Sequence, residues 1–181
     1  AAMRRHQAFQ DRKYGYDIGQ VRDASGRVLR TTVNDTMMRI DLPQPLRPGT
    51  SIEIRFDWES NIVNEAAIGA RGGYEYFEGS DTYQYFLAQW FPRLVAYTDY
   101  TGWQHKQFLG RGEFTLEFGD YDVEIDVPAD HVVTSTGVLQ NPDTVLTATQ
   151  RARLKEAASA KKPVFIITPA EALANEKKST T

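Results

Sequence analysis

At 181 residues with 41% apolar content the chain can bury a core, and its length suits one ordinary domain. A net charge of −3 with scattered basic residues leaves no basic face for a nucleic-acid backbone. The lack of cysteine excludes disulfides, thiolate metal sites and cysteine nucleophiles, and no apolar run approaches the roughly 18 residues of a membrane span.

Residues 1–13 are polar and charged, with Phe9 the one sizeable apolar group, which predicts a mobile arm. Met3-Arg4-Arg5-His6-Gln7 is followed by polar sequence where a secretory signal needs an apolar core. Tyr16, Ile18 and Val21 open a strand that turns at Asp23-Ala24-Ser25-Gly26 and returns over 28–33. Asn34-Asp35 then turns the chain into a strand over 37–42. Pro43, Pro45, Pro48 and Gly49 interrupt pairing, because proline has no amide hydrogen for a ladder.

Over 51–58 the alternation is strict, with Ile52, Ile54, Phe56 and Trp58 on one face and Glu53, Arg55 and Asp57 on the other. Burying each apolar member contributes about 1.5–3 kcal/mol. Ordering the backbone costs about 1–2 kcal/mol per residue, so this strand needs a sheet around it. Residues 69–81, rich in glycine and tyrosine, read as a long loop open to contact with something outside the domain. They lack the strand-to-helix setting and Lys-Ser/Thr pair of a phosphate-binding loop.

Phe114, Leu116 and Phe118 alternate with Thr115 and Glu117. After a Gly119-Asp120 break, Tyr121, Val123, Ile125 and Val127 alternate with Asp122, Glu124 and Asp126. Two period-two runs in succession predict an antiparallel hairpin with one dry face. Beyond it the pattern turns helical. Thr147-Ala148-Thr149-Gln150 matches a capping box ahead of a helix reaching Ala160, and Lys161, Lys162 and Pro163 end it. Residues 164–167 read as a short apolar strand, and Thr168-Pro169-Ala170-Glu171 is a second capping box with proline at the first helical position.

The residues carry little that reads as chemistry. His6, His105 and His131 lie in different segments, and none has a histidine four residues away, as the H-E-x-x-H zinc motif requires. No G-x-S-x-G elbow is present. Asp122, Glu124 and Asp126, like Glu53 and Asp57, read as solvated strand faces rather than a glycosidase dyad. The chain is therefore expected to have no catalytic residues, metal ligands or cofactor of its own.

Eleven of the twenty-one aromatic residues fall between Tyr74 and Trp103. That density leaves three readings open: packing of a large sheet, a seam against another domain, or a sugar-stacking platform. Tyr74, Tyr76, Phe77, Trp90 and Trp103 are the candidates for such an interface.

The blocks AQWFPR, TGWQ, FLGRGEFTLEFGDYDVEIDVPADHVV and TGVLQNP occur in that order, with MMRIDLPQPLRPGTSIEIRFDW upstream and ITPAEALANE downstream. Together they resemble the amino-terminal β-domain of bacterial aminopeptidase N-like zinc metallopeptidases, the gluzincin aminopeptidases. The likeness runs over about residues 37–176, most of the chain. It implies an antiparallel β-saddle over 1–145 and a helix-strand-helix tail over 146–181 leading toward a catalytic domain absent from this chain. It also implies further strands upstream of Tyr16, so the chain is read as a fragment cut at both ends.

By the same resemblance, zinc belongs to the parent protein, the partners are its catalytic domain and a peptide substrate, and the compartment is the periplasm. The family has a glutamine and an arginine ahead of its proline, and the glutamine helps line the pocket for the substrate's amino-terminal residue. Gln89 and Arg93 flank Phe91-Pro92 here, but the spacing differs, so Gln84 stands equally. For each of the three, a structural role is the plainer alternative, as a hydrogen-bonding strand glutamine or as an arginine stem packed on aromatics.

The expected fold is mainly β, an antiparallel sandwich or saddle with a short helical C-terminal segment. The expected function is a non-catalytic wall of a zinc aminopeptidase's active-site cleft that helps anchor the peptide amino terminus. The alternatives are a free-standing β-sandwich module binding carbohydrate or protein, and a scaffold relative that lacks catalysis.

Overall fold

The structure, a computed structural model, describes residues 14–69, 71–107 and 115–175. The arm expected at 1–13, His6 within it, and Phe114 at the start of the predicted hairpin lie outside those residues. The chain divides into two compact units, Ala1–Tyr121 and Asp122–Thr181.

In the first unit, β1 (Tyr16–Ile18) and β2 (Arg22–Asp23) run antiparallel to a later stretch of chain, β5 (Ile54–Arg55) and β6 (Trp58–Ser60). From the Ile18–Trp58 pair to the Arg22–Arg55 pair one strand advances four residues and the other three. That extra residue is a bulge, which breaks the ladder into two short ones. The alternation expected over 51–58 is retained over 53–58, whereas Ile52 is exposed. Ile54, Phe56 and Trp58 are half-buried, while Glu53, Arg55 and Asp57 are exposed.

The turn predicted at Asp23 forms through its carboxylate. Oδ1 accepts from the Ser25 amide at 2.9 Å, the Ser25 hydroxyl at 2.5 Å and the Arg27 amide at 3.1 Å, and Oδ2 accepts from Arg27 Nε at 3.1 Å. The Ser25 hydroxyl first, then Arg27, hold the Asp23 carboxyl down at about 2. The turn brings the Leu29 amide within 2.8 Å of the Val21 carbonyl, and those two side chains join Ile68 and Ala96 as the buried apolar residues among those described.

The strands β3 (Arg30–Asn34) and β4 (Met37–Asp41) form the hairpin expected around Asn34-Asp35, in the register Asn34↔Met37 to Arg30↔Asp41. Its tip is tied down by Gln107, whose side chain accepts from the Thr36 hydroxyl at 2.6 Å and donates to the Asn34 carbonyl at 2.6 Å. A one-turn helix, α1 (Glu65–Ile68), is capped by Asn64 accepting from the Ala67 amide and closed by Gly69 in the left-handed conformation.

The stretch 69–81 read as a loop contains a strand, Gly73–Phe77. β7 (Gly73–Phe77) pairs antiparallel with β8 (Thr82–Phe86) across a four-residue turn. After it, β9 (Tyr97–Thr98) and β10 (Gly102–Trp103) form a tight ladder.

The hairpin predicted over 114–127 does not form among the described residues. Leu116 makes a single bridge, and its partner is Val95 rather than the second run. Residues 117–128 carry no helix, turn or ladder. An isolated two-stranded hairpin is marginal in water unless something covers its apolar face, and here Phe118, Val123 and Ile125 are exposed.

In the second unit three short helices, α2 (Pro142–Val145), α3 (Ala148–Ala157) and α4 (Pro169–Asn175), follow in sequence. Both predicted capping boxes form. Gln150 Oε1 accepts from the Thr147 amide at 2.8 Å while Thr147 Oγ1 accepts from the Gln150 amide at 3.3 Å. Thr168 and Glu171 repeat the exchange at 2.8 and 3.3 Å. The strand expected at 164–167 is absent, since no other strand of this unit lies among the described residues to pair with it. The Ile166 carbonyl instead accepts from Arg153 Nη1 at 3.2 Å. The same nitrogen lies 2.7 Å from Glu171 Oε2 and so joins α3 to α4.

The Thr168 amide and hydroxyl, followed by Arg153, hold the Glu171 carboxyl at about 2, below its ordinary 4.5. A carboxyl depressed in the folded state stabilises above its unfolded pKa and loses that contribution as pH falls through the folded value. The contact between α3 and α4 is therefore expected to weaken from pH 4.5 down to about 2, together with the Asp23 turn below 3.8. An amide-resolved NMR titration checks this. Glu171→Gln should abolish the α4 part of the transition and leave the Asp23 part.

The chain is thus mainly β with antiparallel ladders and a short helical C-terminal segment, as its sequence predicts. Among the described residues each ladder is two strands wide, and the pairs do not merge there into one broad sheet.

Candidate functional site

The candidate residues separate into three aromatic groups, each placed by a different piece of backbone. In the β7–β8 hairpin the register sets Tyr74 opposite Tyr85 and Tyr76 opposite Tyr83. Side chains alternate along a strand, so all four tyrosines share one face. Their rings form a ladder with centroids 4.8 Å apart for Tyr76–Tyr83, 6.0 Å for Tyr74–Tyr83 and 6.2 Å for Tyr83–Tyr85. Tyr76 Oη donates to Asp81 Oδ1 at 2.9 Å across the turn, and that bond, ahead of burial, raises the Tyr76 phenol above 10.0. Tyr76, Tyr83 and Tyr85 are exposed.

On the opposite face of the hairpin stand Glu75, Phe77, Gln84 and Phe86, with Glu75 directly across from Gln84. Of the predicted interface residues, Tyr74 and Tyr76 therefore belong to one face and Phe77 to the other. Among the described residues the Gln84 amide makes no hydrogen bond, and both Gln84 and Glu75 are exposed. Together they present a carboxylate and an amide oxygen side by side.

Gln89, Trp90 and Arg93 form the second group, on the chain leaving β8. Gln89 sits at φ 52, and its carbonyl accepts from Tyr16 Oη at 2.5 Å. Burial raises the Tyr16 phenol above 10.0. The Trp90 carbonyl accepts from Trp58 Nε1 at 3.3 Å, and the two indoles lie 6.2 Å apart. Phe91 meets Trp90 edge-on at 5.0 Å and Tyr121 at 5.8 Å. The Arg93 guanidinium stacks 5.8 Å over the Phe91 ring, a cation–π contact that occupies its charge.

Trp103 belongs to the third group, edge-on to Tyr97 at 5.1 Å across β9–β10. Below it, Gln104 Nε2 donates to Thr98 Oγ1 at 3.0 Å. His105 Nδ1 lies 2.8 Å from the Trp103 carbonyl, and His131 Nδ1 lies 2.8 Å from Asp130 Oδ1. Among the described residues no three His, Asp or Glu side chains form a group that could hold a metal ion. No helix among the described residues is long and apolar enough to cross a membrane.

Sequence reading passed over the tyrosine ladder and the Glu75–Gln84 pair. The signal was there. Tyr74 and Tyr76 flank Glu75, Tyr83 and Tyr85 flank Gln84, and Gly79-Ser80-Asp81 lies between, a two-strand pattern around a polar turn. Compared with family models, with curated proteins and with solved structures, the chain matches none.

Proposed function

We propose that this chain is a non-catalytic β-domain of a larger zinc aminopeptidase-like protein, with an aromatic face that is covered by the catalytic domain of the same polypeptide. The observation that carries the reading is the tyrosine ladder. Four rings gathered on one face of a two-stranded hairpin are held in place by register and a hydrogen bond, yet three of them stay exposed. Ordered aromatic surface of that kind suits an interface core. The ordered sequence blocks quoted above supply the family.

A sugar platform is the weaker reading. The ladder's ring planes are tilted by 40° and 58° at two of its contacts, so the four rings do not form one continuous flat surface, although Tyr83 and Tyr85 are stacked at 21°.

The geometry also favours Gln84 over Gln89 as the group that meets a peptide's amino end. A protonated amine needs acceptors and negative charge, and Glu75 supplies both beside Gln84. Gln89 has no such cross-strand carboxylate, and its backbone carbonyl accepts from Tyr16.

Two results test this. Metal analysis of the purified chain is expected to find no stoichiometric zinc, and aminoacyl anilides should remain uncleaved; one tightly held zinc per chain would overturn the reading. The parent reading frame is expected to encode H-E-x-x-H with a later glutamate downstream. Its absence would turn the protein into a scaffold.

A further inference from the structure

The run over 118–127 carries a feature that the aromatic groups do not use. Between Glu117 and Pro128 the chain has no helix, turn or ladder, and no backbone hydrogen bond joins 118–127 to any described residue. Val123, Ile125 and Val127 are 48, 48 and 39% exposed. They alternate with Asp122, Glu124 and Asp126, all three also exposed. A segment of strand periodicity whose amides and carbonyls have no backbone partner among the described residues has the makings of one half of a ladder.

We propose that residues 122–127 form a docking strand that adds to an edge strand of a protein partner in which lysine or arginine alternates with apolar residues. The charge pattern selects that partner. In a ladder the side chains directly opposite share a face, where opposite charges attract and like charges repel. Beside this strand a basic–apolar edge puts a cation against each carboxylate and an apolar side chain against each of Val123, Ile125 and Val127.

A second copy of the chain does the reverse, since in-register pairing sets carboxylate against carboxylate. A one-residue slip sets carboxylates against valine and isoleucine. Backbone pairing gives the affinity and the alternating charges give the selectivity, as in other cases of strand addition. The inference is independent of the peptidase reading, because it requires neither zinc nor a catalytic domain.

The test uses the whole chain and two capped synthetic peptides, one alternating lysine and valine, the other glutamate and valine. Titration at low ionic strength should show the lysine peptide binding roughly tenfold tighter, from three opposite-charge pairs, with the advantage shrinking as salt is added. Amide hydrogen exchange over 122–127 should slow in the complex. In the triple variant Asp122→Lys, Glu124→Lys, Asp126→Lys the preference should reverse. Equal binding of the two peptides, binding of neither, or a lysine preference that survives the triple variant would each overturn the proposal. So would concentration-dependent self-association of the wild-type chain that Val123→Pro abolishes.

Discussion

Gly73→Ala is expected to unfold the β7–β8 hairpin and lower the stability of the first unit by roughly 2–4 kcal/mol. Gly73 opens β7 at φ 142, a conformation that an L side chain rarely adopts. A Cβ at this position would press into the Val63 carbonyl oxygen and stand 2.7 Å from Val63 Cγ2. That carbonyl cannot move aside freely, because it accepts the Tyr74 amide at 2.8 Å, and Asn64 beside it bridges Tyr74 in parallel. Neither the new methyl group nor its neighbour can yield without breaking the edge that seats the hairpin on α1. The four tyrosines owe their shared face to this register, so near-UV circular dichroism from tyrosine should fall along with the thermal midpoint. Gly79→Ala, in the turn of the same hairpin with nothing within 4 Å of its added Cβ, should stay within about 0.5 kcal/mol of wild type. Equal loss in both variants would mean that the Val63 contact does not hold the hairpin.

The same hairpin shows which parts of the architecture a sequence can reveal. Features decided within four or five residues were legible. The Asp23 turn and the capping boxes at Thr147 and Thr168 rest on a side chain bonding to nearby backbone, the Asn34-Asp35 hairpin on a tight turn with Asp35 at φ 49, and all are present. Pairing between distant segments was not legible. Nothing in residues 16–23 names 54–60 as their partner, because the alternation of each run says which face is apolar but not which strand lies alongside.

The run over 114–127 fails for the complementary reason. Its period is right, but a ladder needs two strands, and Leu116 finds Val95 instead. At the candidate site, composition located the aromatic region but could not choose between Gln84 and Gln89. Cross-strand register, which composition does not reveal, is what sets Glu75 opposite Gln84.

Trp58→Ala should release the segment carrying Gln89, Trp90 and Arg93 and cost about 2 kcal/mol, roughly half the value for a fully buried tryptophan. Trp58 stands on β6, paired through Ile18 to β1, and is half-buried. Its indole packs 5.8 Å from Phe56 and 6.2 Å from Trp90, and its Nε1–H reaches the Trp90 carbonyl at 3.3 Å. The bond is long, so packing rather than hydrogen bonding should dominate the loss. Trp58→Phe, which keeps a ring and removes the donor, should then recover most of the stability.

The neighbouring anchor, Tyr16 Oη on the Gln89 carbonyl, holds the same segment from β1. Tyr16→Phe should cost about 0.5–1.5 kcal/mol, the ordinary range for one hydrogen bond. Because both anchors hold one short stretch of chain, their effects should not add. Once Trp58 is gone the stretch moves and the Tyr16 bond has little left to fix, so Tyr16→Phe combined with Trp58→Ala should cost less than the sum. Urea midpoints for the two single variants and the double variant measure that coupling. A strictly additive result would mean that residues 89–93 are held by contacts other than these two side chains, and that the aromatic cluster does not position Gln89 and Arg93.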